Sequence, residues 1–312
     1  MSSPTITKSA NAEGSDGAAP ASTPMTKTKP NLSGVSETML VVLTARAEDA
    51  NRPDSVLHDT WAADVRAKLD YDFGARTPLN AGFFATILLR ARLLDAWAGA
   101  FLAAHPAATV LHLGCGLDSR ALRLAPVWTG SSNPAKAVRW LDVDVPPVAA
   151  LRRQLMPAPD VSGKGEAEYA LVEASVTDDA WLDAVPADRP TLVVMEGLLP
   201  YLTPADARRL VQRIADRFPT GQLVFDVPGS WFLRVQALNR PISRTGAVMR
   251  FAMDDPAELA AAHPALRATA AVRIWEMPGS ETLAWWFRAV LWVCSWVPGL
   301  STGLVSYFRY DF

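Results

Sequence analysis

Residues 110–120 read Val-Leu-His-Leu-Gly-Cys-Gly-Leu-Asp-Ser-Arg, and this stretch decides the fold of the chain. It begins inside an apolar run of strand length, Thr109 to Leu113, and it ends in a helical pattern, Ser119 to Leu124. The paired glycines between them let the backbone turn sharply and let a ligand approach, because glycine has no Cβ. We therefore predict a strand, a tight turn and a helix, with Asp118 able to cap the free N–H groups of that helix.

The paired glycines leave two interpretations open, close packing of the turn or approach of a nucleotide-like cofactor. The dinucleotide fingerprint is incomplete, because Ser119 stands at its third glycine position. The next apolar run, 137–141, leads into an Asp-Val-Asp sequence, so Asp144 falls where a second parallel strand should end. An acidic residue there can accept hydrogen bonds from both ribose hydroxyls. Asp142 or Asp144 can also cap the following helix, which begins with two prolines, and the two roles are compatible.

Composition and charge exclude several classes of protein. The chain has 312 residues, 50% of them hydrophobic and 20% charged, which suffices for one large domain with a substantial core. The net charge of −2 gives no field that would attract nucleic acid, and no basic stripe with interleaved aromatic residues is present. The two cysteines and four histidines form no metal-ligand or disulfide pattern. We therefore expect no metal, no nucleic-acid partner and a reducing, cytoplasmic location.

The beginning of the chain differs in composition from the rest. Residues 1–35 are rich in Ser, Thr, Ala, Gly, Pro and Lys, and they lack apolar periodicity. They also lack the apolar segment of a secretory signal. We predict a disordered tail over 1–35 and one domain over 36–312.

Strand and helix patterns alternate through the middle of the chain. Apolar runs of strand length fall at 109–113, 138–141, 169–173, 191–195 and 222–227, with helical patterns between them. This alternation predicts an α/β fold with a doubly wound, mostly parallel sheet covered by helices on both faces. Right-handed crossovers leave the strand C-termini at one edge, where such sheets bind ligands. The residues expected to gather there are Asp118, Asp144, Ser175 and Glu196.

Segments on both sides of this core are predicted to cover it. Before the first strand, helical patterns at 36–46, 56–69 and 83–104 form an N-terminal cap. After the fifth strand, the very apolar segment Leu283 to Val305 approaches the length of a membrane span, but Arg288 and Pro298 interrupt it. We predict a buried helix, a turn and a strand there, without stable membrane insertion. Six aromatic residues of these flanking segments are expected to form a partly apolar lid: Trp61, Trp231, Phe232, Phe251, Trp285 and Trp286.

Several blocks of the sequence resemble one enzyme family in order and spacing. The blocks are Val110 to Leu124, Trp140 to Pro146, Leu151 to Leu155, Ala174 to Trp181, Glu196 to Leu202 and Arg217 to Asp226. Together they resemble the leucine carboxyl methyltransferase-like enzymes, which are class I S-adenosylmethionine-dependent methyltransferases with a Rossmann-like fold. The resemblance runs from about Ser36 to the C-terminus, and it is nearest to the bacterial branch of tetracenomycin polyketide O-methyltransferase type.

The resemblance implies roles for individual residues. Arg90 matches the arginine that pairs with the methionine carboxylate of the cofactor, and Asp144 matches the ribose-binding acid. The full set of implied cofactor-binding residues is Arg90, Gly114, Gly116, Asp142, Asp144, Ser175, Val176 and Glu196. Ser175 and Val176 stand where the family flanks the adenine. Two departures are Cys115, where an alanine is usual, and Pro200, where a methionine is common.

Glu196 and Tyr201 are the candidate catalytic residues. Glu196 matches a glutamate beside the cofactor, and Tyr201 can donate a hydrogen bond near the acceptor or serve as a tyrosine at the edge of the core. A carboxylate acceptor needs no base at neutral pH, whereas a phenol with a pKa near 10 would benefit from one. The sequence contains no Ser-His-Asp or Cys-His arrangement that commits the chain to a nucleophilic mechanism.

Several functions compete on this basis. We favour an O-methyltransferase that uses S-adenosyl-L-methionine and acts on a hydroxyl or carboxylate of a small, largely apolar or aromatic, polyketide-like molecule. The alternatives are a carboxyl methyltransferase acting on a protein C-terminus and a non-catalytic cofactor-binding module of the same fold. A dehydrogenase is disfavoured by Ser119 in the glycine fingerprint. The sequence leaves the oligomeric state open.

Overall fold

A twisted sheet of parallel strands with an antiparallel end organises the chain. The computed structural model describes residues 27–130, 137–162, 167–297 and 299–312. The strands of these residues are β1 Thr109–Leu113, β2 Arg139–Asp144, β3 Glu168–Glu173, β4 Thr191–Met195, β5 Gly221–Val227, β6 Arg267–Arg273 and β7 Ser306–Asp311. Their order in the sheet is β3-β2-β1-β4-β5-β7-β6. Strands β1 to β5 are mutually parallel, and β7 runs antiparallel to both β5 and β6.

Helices cover both faces of this sheet, which confirms the predicted doubly wound α/β fold. They are α1 Thr38–Ala50, α2 Thr60–Lys68, α3 Phe73–Arg76, α4 Ala81–Ala104, α5 Arg120–Arg123, α6 Ala125–Trp128, α7 Pro146–Leu155, α8 Ala180–Asp183, α9 Pro204–Arg217, α10 Ser230–Arg234, α11 Arg240–Ser243, α12 Ala257–Ala260, α13 Trp285–Trp296 and α14 Leu300–Gly303. Short 3₁₀ turns lie at Gly34–Glu37, Leu199–Tyr201, Gln236–Leu238, Ile274–Glu276 and Ser280–Thr282.

The sequence explains why the central strands and helices form where they do. Every residue of β1 and of β4 is buried, because both are largely apolar strands covered by helices on two faces. The long helix α4 begins where the Asn80 side chain accepts a hydrogen bond from Phe83 N–H. Helix α9 begins in the same way at Thr203, whose hydroxyl accepts from Asp206 N–H. These caps fix where the two helices begin, and the loops after the parallel strands meet at one edge of the sheet.

Part of the predicted N-terminal tail is folded onto the domain. Residues 1–26 of that prediction lie outside the described residues, but 27–35 do not. Thr28 N–H donates to Lys68 O and Thr28 O accepts from Asp70 N–H, both at 2.8 Å. Leu32 packs against the apolar cluster of α1 and α2. Residues 27–35 therefore contact the domain at the end of α2, and such short contacts carry no periodic signal in the sequence.

Helix α13 also departs from expectation. It forms within the predicted segment, but Leu291 is its only buried residue. Trp285 is 80% exposed, Trp292 62% and Trp296 72%. The expectation of a buried helix was wrong. The helix is apolar on two faces, and only the face with Leu291 packs against the rest of the protein. No helix within the described residues is long and apolar enough to cross a membrane.

Candidate active site

A cavity opens at the edge where the parallel strands end. Its walls come from the loops after β1, β2 and β4, from the end of β5, and from helices α1 and α4 that cross above them. The predicted residues that line it are Arg90, Gly114, Gly116, Asp144, Glu196 and Tyr201. The fold therefore brings together residues from four separate stretches of the sequence.

The paired glycines form the tight turn that their spacing predicted. Gly114 and Gly116 have φ angles of +64° and +51°, a region in which residues with a Cβ are strained. A Cβ added at Gly114 would lie 3.0 Å from the Leu198 side chain, and one at Gly116 would lie 3.3 Å from Met39. The turn therefore needs glycine both for its backbone conformation and for the neighbours that close over it.

Asp144 stands at the end of β2, facing this turn. One carboxylate oxygen accepts Gly116 N–H at 2.7 Å and the other accepts Val145 N–H at 2.8 Å. A carboxylate has about four acceptor positions, so about two stay free toward the cavity. Burial raises the pKa of Asp144, against the two backbone hydrogen bonds that lower it. This geometry suits an acid that accepts from a pair of vicinal hydroxyls.

Asp142 does not line the cavity, so it does not join the predicted cofactor-binding set. Residues two apart share a face of a strand, so Asp142 lies on the same face of β2 as Asp144 but two residues before the strand end, where it is fully buried. There it pairs with Arg152 at 2.6 Å, and it accepts from Trp140 Nε1 and Tyr169 Oη at 2.9 and 2.8 Å. Burial would raise the pKa of Asp142, but the Arg152 charge holds it below the usual range. The residue braces helix α7 against β2.

Ser175 and Val176 also lie outside the cavity lining. Both follow β3, and Ala174 N–H joins that strand end to Asp144 O at 3.0 Å. Ser175 Oγ is 2.7 Å from Thr177 Oγ1, and the Val176 side chain is buried. The two residues are therefore at the predicted strand end, one strand beyond Asp144, without facing the cavity.

Glu196 is surrounded by three arginines. Its carboxylate receives Arg46 from α1 at 2.9 Å, Arg90 from α4 at 3.0 Å, and Arg120 from α5. Burial alone would raise the pKa of Glu196, but these three charges lower it to about 2. A carboxylate with so low a pKa is a poor proton acceptor at neutral pH. Its observed role is to hold the arginines in place at the floor of the cavity.

Arg90 points inward, as the resemblance implied, although it lies on a helix that borders the surface. Besides Glu196, it pairs with Asp226 of β5 at 3.1 Å. Asp226 also accepts Gly197 N–H at 2.6 Å, which fixes the loop after β4. Burial raises the pKa of Asp226, while the Arg90 charge lowers it. Arg92, two residues on, is exposed and takes no part in the cavity.

Sequence reasoning missed Arg46 and gave Asp226 no role. Arg46 is buried on α1, where it pairs with Asp118 and Glu196, and its Nε has no hydrogen-bond partner among the described residues. The available signal was an arginine inside an otherwise apolar helix, because a buried charge needs a nearby acid. Asp118, expected to cap the helix after β1, does accept Arg120 N–H at 2.9 Å and also binds Arg46.

Two tyrosines, Tyr201 and Tyr307, line the cavity. Burial raises the pKa of Tyr201 to about 12. Tyr307, on β7 opposite Asp226, is fully buried, and its hydroxyl has no hydrogen-bond partner among the described residues. Burial raises the pKa of Tyr307 as well. Both phenols therefore stay protonated at neutral pH and can donate, and a buried hydroxyl without a partner leaves a hydrogen bond for a ligand.

Apolar side chains form part of the cavity wall, among them Phe83, Ile87, Phe232, Ile242, Met249 and Val305. Of the six aromatic residues predicted to form the lid, only Phe232 lines the cavity. Trp61 packs beside the α1 and α2 cluster, Phe251 is buried in the main core, and Trp285 and Trp286 are exposed. An apolar compartment exists, but other residues build it.

The sheet order and this cavity define a class I S-adenosylmethionine-dependent methyltransferase. The profile of the leucine carboxyl methyltransferases matches residues 39–215. The tetracenomycin polyketide synthesis O-methyltransferase TcmP of Streptomyces glaucescens is 42% identical over 76% of this chain and 82% of its own length. An S-adenosyl-L-methionine-dependent methyltransferase of Gibberella zeae is 40% identical over 77% of this chain and 83% of its own.

The chain belongs to the leucine carboxyl methyltransferase family, and its cofactor is S-adenosyl-L-methionine. A solved structure, a DUF574 family protein from Streptomyces avermitilis, has a TM-score of 0.52 at 14% identity. The match covers 86% of this chain and 96% of that protein. At so low an identity, the similarity supports the fold alone.

The cavity residues fit this cofactor. Asp144 offers free acceptor positions beside the glycine turn, and Arg46 Nε and Arg90 are donors suited to a carboxylate. The acidic residues that line the cavity are Asp118, Asp144, Glu196 and Asp226. They outnumber its arginines, which suits a ligand with a sulfonium, an ammonium and one carboxylate. Within the described residues, no group of His, Cys, Asp and Glu is arranged to hold a metal ion.

Proposed function

We propose that the protein methylates an oxygen of a small, largely apolar or aromatic molecule. The acceptor oxygen is a carboxylate or a hydroxyl, and S-adenosyl-L-methionine supplies a methyl group activated by its sulfonium. The observation that carries the proposal is the set of apolar side chains in the cavity wall, together with the buried Tyr307 hydroxyl, which has no hydrogen-bond partner among the described residues. Apolar walls with a few oriented polar groups are typical of sites for small apolar ligands.

Different residues along the sheet edge would bind different parts of the cofactor. Gly114, Gly116 and Asp144 stand at the ends of β1 and β2 and would hold the ribose side of the cofactor. Arg90 stands near β4 and β5 and would hold its carboxylate. Neighbouring strands are about 5 Å apart, so Tyr307 on β7 lies roughly 20 Å along the edge from β2. Cofactor and acceptor would therefore lie side by side along this edge.

The state of the titratable groups favours an acceptor that is already ionised. Glu196 has its pKa lowered to about 2 and Tyr201 has its pKa raised to about 12, so neither takes up a proton readily at neutral pH. A carboxylate or an acidic phenol needs no base, and the protein then mainly positions its oxygen against the methyl carbon. Tyr307, as a neutral donor, is suited to orient such an oxygen.

The name of one relative supports a polyketide acceptor. The relative from Streptomyces glaucescens is named for tetracenomycin polyketide synthesis, and 82% of its length is covered at 42% identity. A polyketide acceptor would agree with the apolar side chains in the wall of this cavity. We therefore propose an aromatic, polyketide-like acceptor.

The test is an acceptor screen with methyl-labelled S-adenosylmethionine. Aromatic polyketide acids, hydroxybenzoates and peptides with a free C-terminus are compared, with Asp144→Ala as the control that lacks the ribose-binding acid. We expect label on an aromatic acid or phenol and none in the control. Label on peptides alone would show that the acceptor is a protein C-terminus and would overturn the proposal.

A further inference from the structure

Arg152 of α7 contacts the glycine turn after β1 but is not among the described residues that line the cavity. Its side chain is 4% exposed. Its Nη1 donates to Gly116 O at 3.0 Å and to Asp118 O at 2.6 Å, and its Nη2 pairs with Asp142 at 2.6 Å. One buried guanidinium therefore holds two backbone carbonyls of the turn.

Gly116 connects this arginine to the cavity. Its carbonyl accepts from Arg152, and its N–H donates to the Asp144 carboxylate at 2.7 Å. Glycine populates more backbone conformations than any other residue, so hydrogen bonds on both sides of Gly116 restrict how it is oriented. A shift of the guanidinium would therefore move the Gly116 N–H and the carboxylate that it holds.

Asp142 orients the guanidinium of Arg152. It is fully buried, and it also accepts hydrogen bonds from three other side chains: His112 Nδ1 and Trp140 Nε1 at 2.9 Å, and Tyr169 Oη at 2.8 Å. A carboxylate has about four acceptor positions, so these donors and Arg152 together leave none for a ligand. Asp142 can therefore affect the cofactor only through the groups that it holds.

Packing of α7 against β2 does not by itself require a buried ion pair. Apolar side chains of similar volume in place of such a pair often leave stability unchanged or raise it. They cannot donate to the Gly116 and Asp118 carbonyls, however, and a buried carbonyl without a partner is costly. The planar guanidinium presents several donors in a rigid fork, which suits it to hold two carbonyls and a carboxylate in one fixed arrangement.

We propose that Arg152 and Asp142 are positioning residues that orient the glycine turn for the ribose of the cofactor. Asp142 holds the guanidinium, the guanidinium holds the carbonyls of the turn, and Gly116 of the turn holds the Asp144 carboxylate. The inference rests on the proposed binding of the ribose by Asp144. Displacing the turn would weaken every ligand that contains this ribose, whether or not the ligand also carries the amino-acid part of the cofactor.

The test compares the binding of S-adenosylhomocysteine and methylthioadenosine by calorimetry. Both ligands contain the ribose, but only S-adenosylhomocysteine carries the amino-acid carboxylate. Arg152→Lys keeps a charge for Asp142 but loses the fork that also reaches both carbonyls. We expect this variant to bind both ligands about tenfold more weakly, by the same factor for each. Arg90→Gln, at the proposed carboxylate site, should weaken S-adenosylhomocysteine alone.

Arg217→Lys is the matched control. Arg217 of α9 also donates to two backbone carbonyls, Asp183 O at 3.2 Å and Val185 O at 2.7 Å, and it is not among the described residues that line the cavity. The same substitution there should leave both affinities unchanged. Should Arg152→Lys fail to fold in thermal unfolding, Asp142→Asn takes its place with the same expected result, because it keeps the side-chain shape and removes the charge that orients the guanidinium.

The result also separates the role of Arg152 from the ribose assignment. If Arg152→Lys binds both ligands as the native protein does, or weakens S-adenosylhomocysteine alone, the positioning role is overturned. Asp144→Ala tests the assignment itself. If Asp144→Ala weakens both ligands while Arg152→Lys weakens neither, the ribose assignment stands and only the positioning role is wrong. If Asp144→Ala changes neither affinity, the assignment is wrong and the inference is overturned with it.

Discussion

Replacing Arg90 tests whether one buried arginine serves both the fold and the cofactor. Its side chain is 15% exposed and pairs with Asp226, which is 5% exposed. Removing one partner of a buried ion pair costs about 3–5 kcal/mol, because the other charge stays buried and unpaired. Arg90→Gln should therefore lower the free energy of unfolding by that amount in urea titrations. Arg92→Gln, an exposed arginine on the same helix, should change it by less than about 0.5 kcal/mol.

A double variant separates the two roles of Arg90. In Arg90→Gln combined with Asp226→Asn both charges are gone, so we expect about 2–3 kcal/mol of the lost stability to return as coupling energy. Affinity for S-adenosylhomocysteine should not return with it. Losing charge-assisted hydrogen bonds to the ligand carboxylate costs about 1.5–3 kcal/mol, which weakens binding by roughly tenfold to a hundredfold.

Calorimetry of S-adenosylhomocysteine binding and urea titration of the two variants distinguish the two roles. If the double variant binds S-adenosylhomocysteine as tightly as the native protein, Arg90 only neutralises Asp226 and does not reach the cofactor. If Arg90→Gln alone leaves the free energy of unfolding unchanged, the pair is not buried in the way the structure shows. A stable but weakly binding double variant is the expected result.

Three further measurements address other parts of the site and fold. Asp144→Ala should weaken S-adenosylhomocysteine binding by about 1–3 kcal/mol, with Glu173→Ala at the end of β3 as the unaffected control; equal affinities would contradict the ribose assignment. Glu196 has its pKa lowered from 4.5 to about 2, so its stabilising effect is present above 4.5 and lost as pH falls toward 2. Between pH 4.5 and pH 2, the free energy of unfolding of Glu196→Gln should therefore fall by about 3 kcal/mol less than that of the native protein. Deleting residues 1–35 removes the backbone pairing of Thr28, and it should lower Tm by roughly 4 °C relative to a chain that starts at 27; an equal Tm would show that this pairing is not stabilising.

The fold could be predicted because its signals are local. Strands β1 and β4 were predicted with the bounds that the structure shows, since a continuous apolar run between turn residues has few other solutions. The glycine turn and Asp144 followed from the same local pattern, because residues after parallel strands share one edge. Asp142 and Asp144 share one face of β2, and nothing in the sequence says that Arg152 of α7 pairs with Asp142 inside the fold while Asp144 reaches the cavity.

The cluster of three arginines around Glu196 could not be predicted from the sequence, because its residues come from four separate elements. Arg46, Arg90, Arg120 and Glu196 come from α1, α4, α5 and the loop after β4, and each looks ordinary in its own segment. Their burial is stable only because the opposite charges arrive together, which is a property of the packed structure. The resemblance identified Arg90 by position, and the structure supplies the reason why an arginine there is buried.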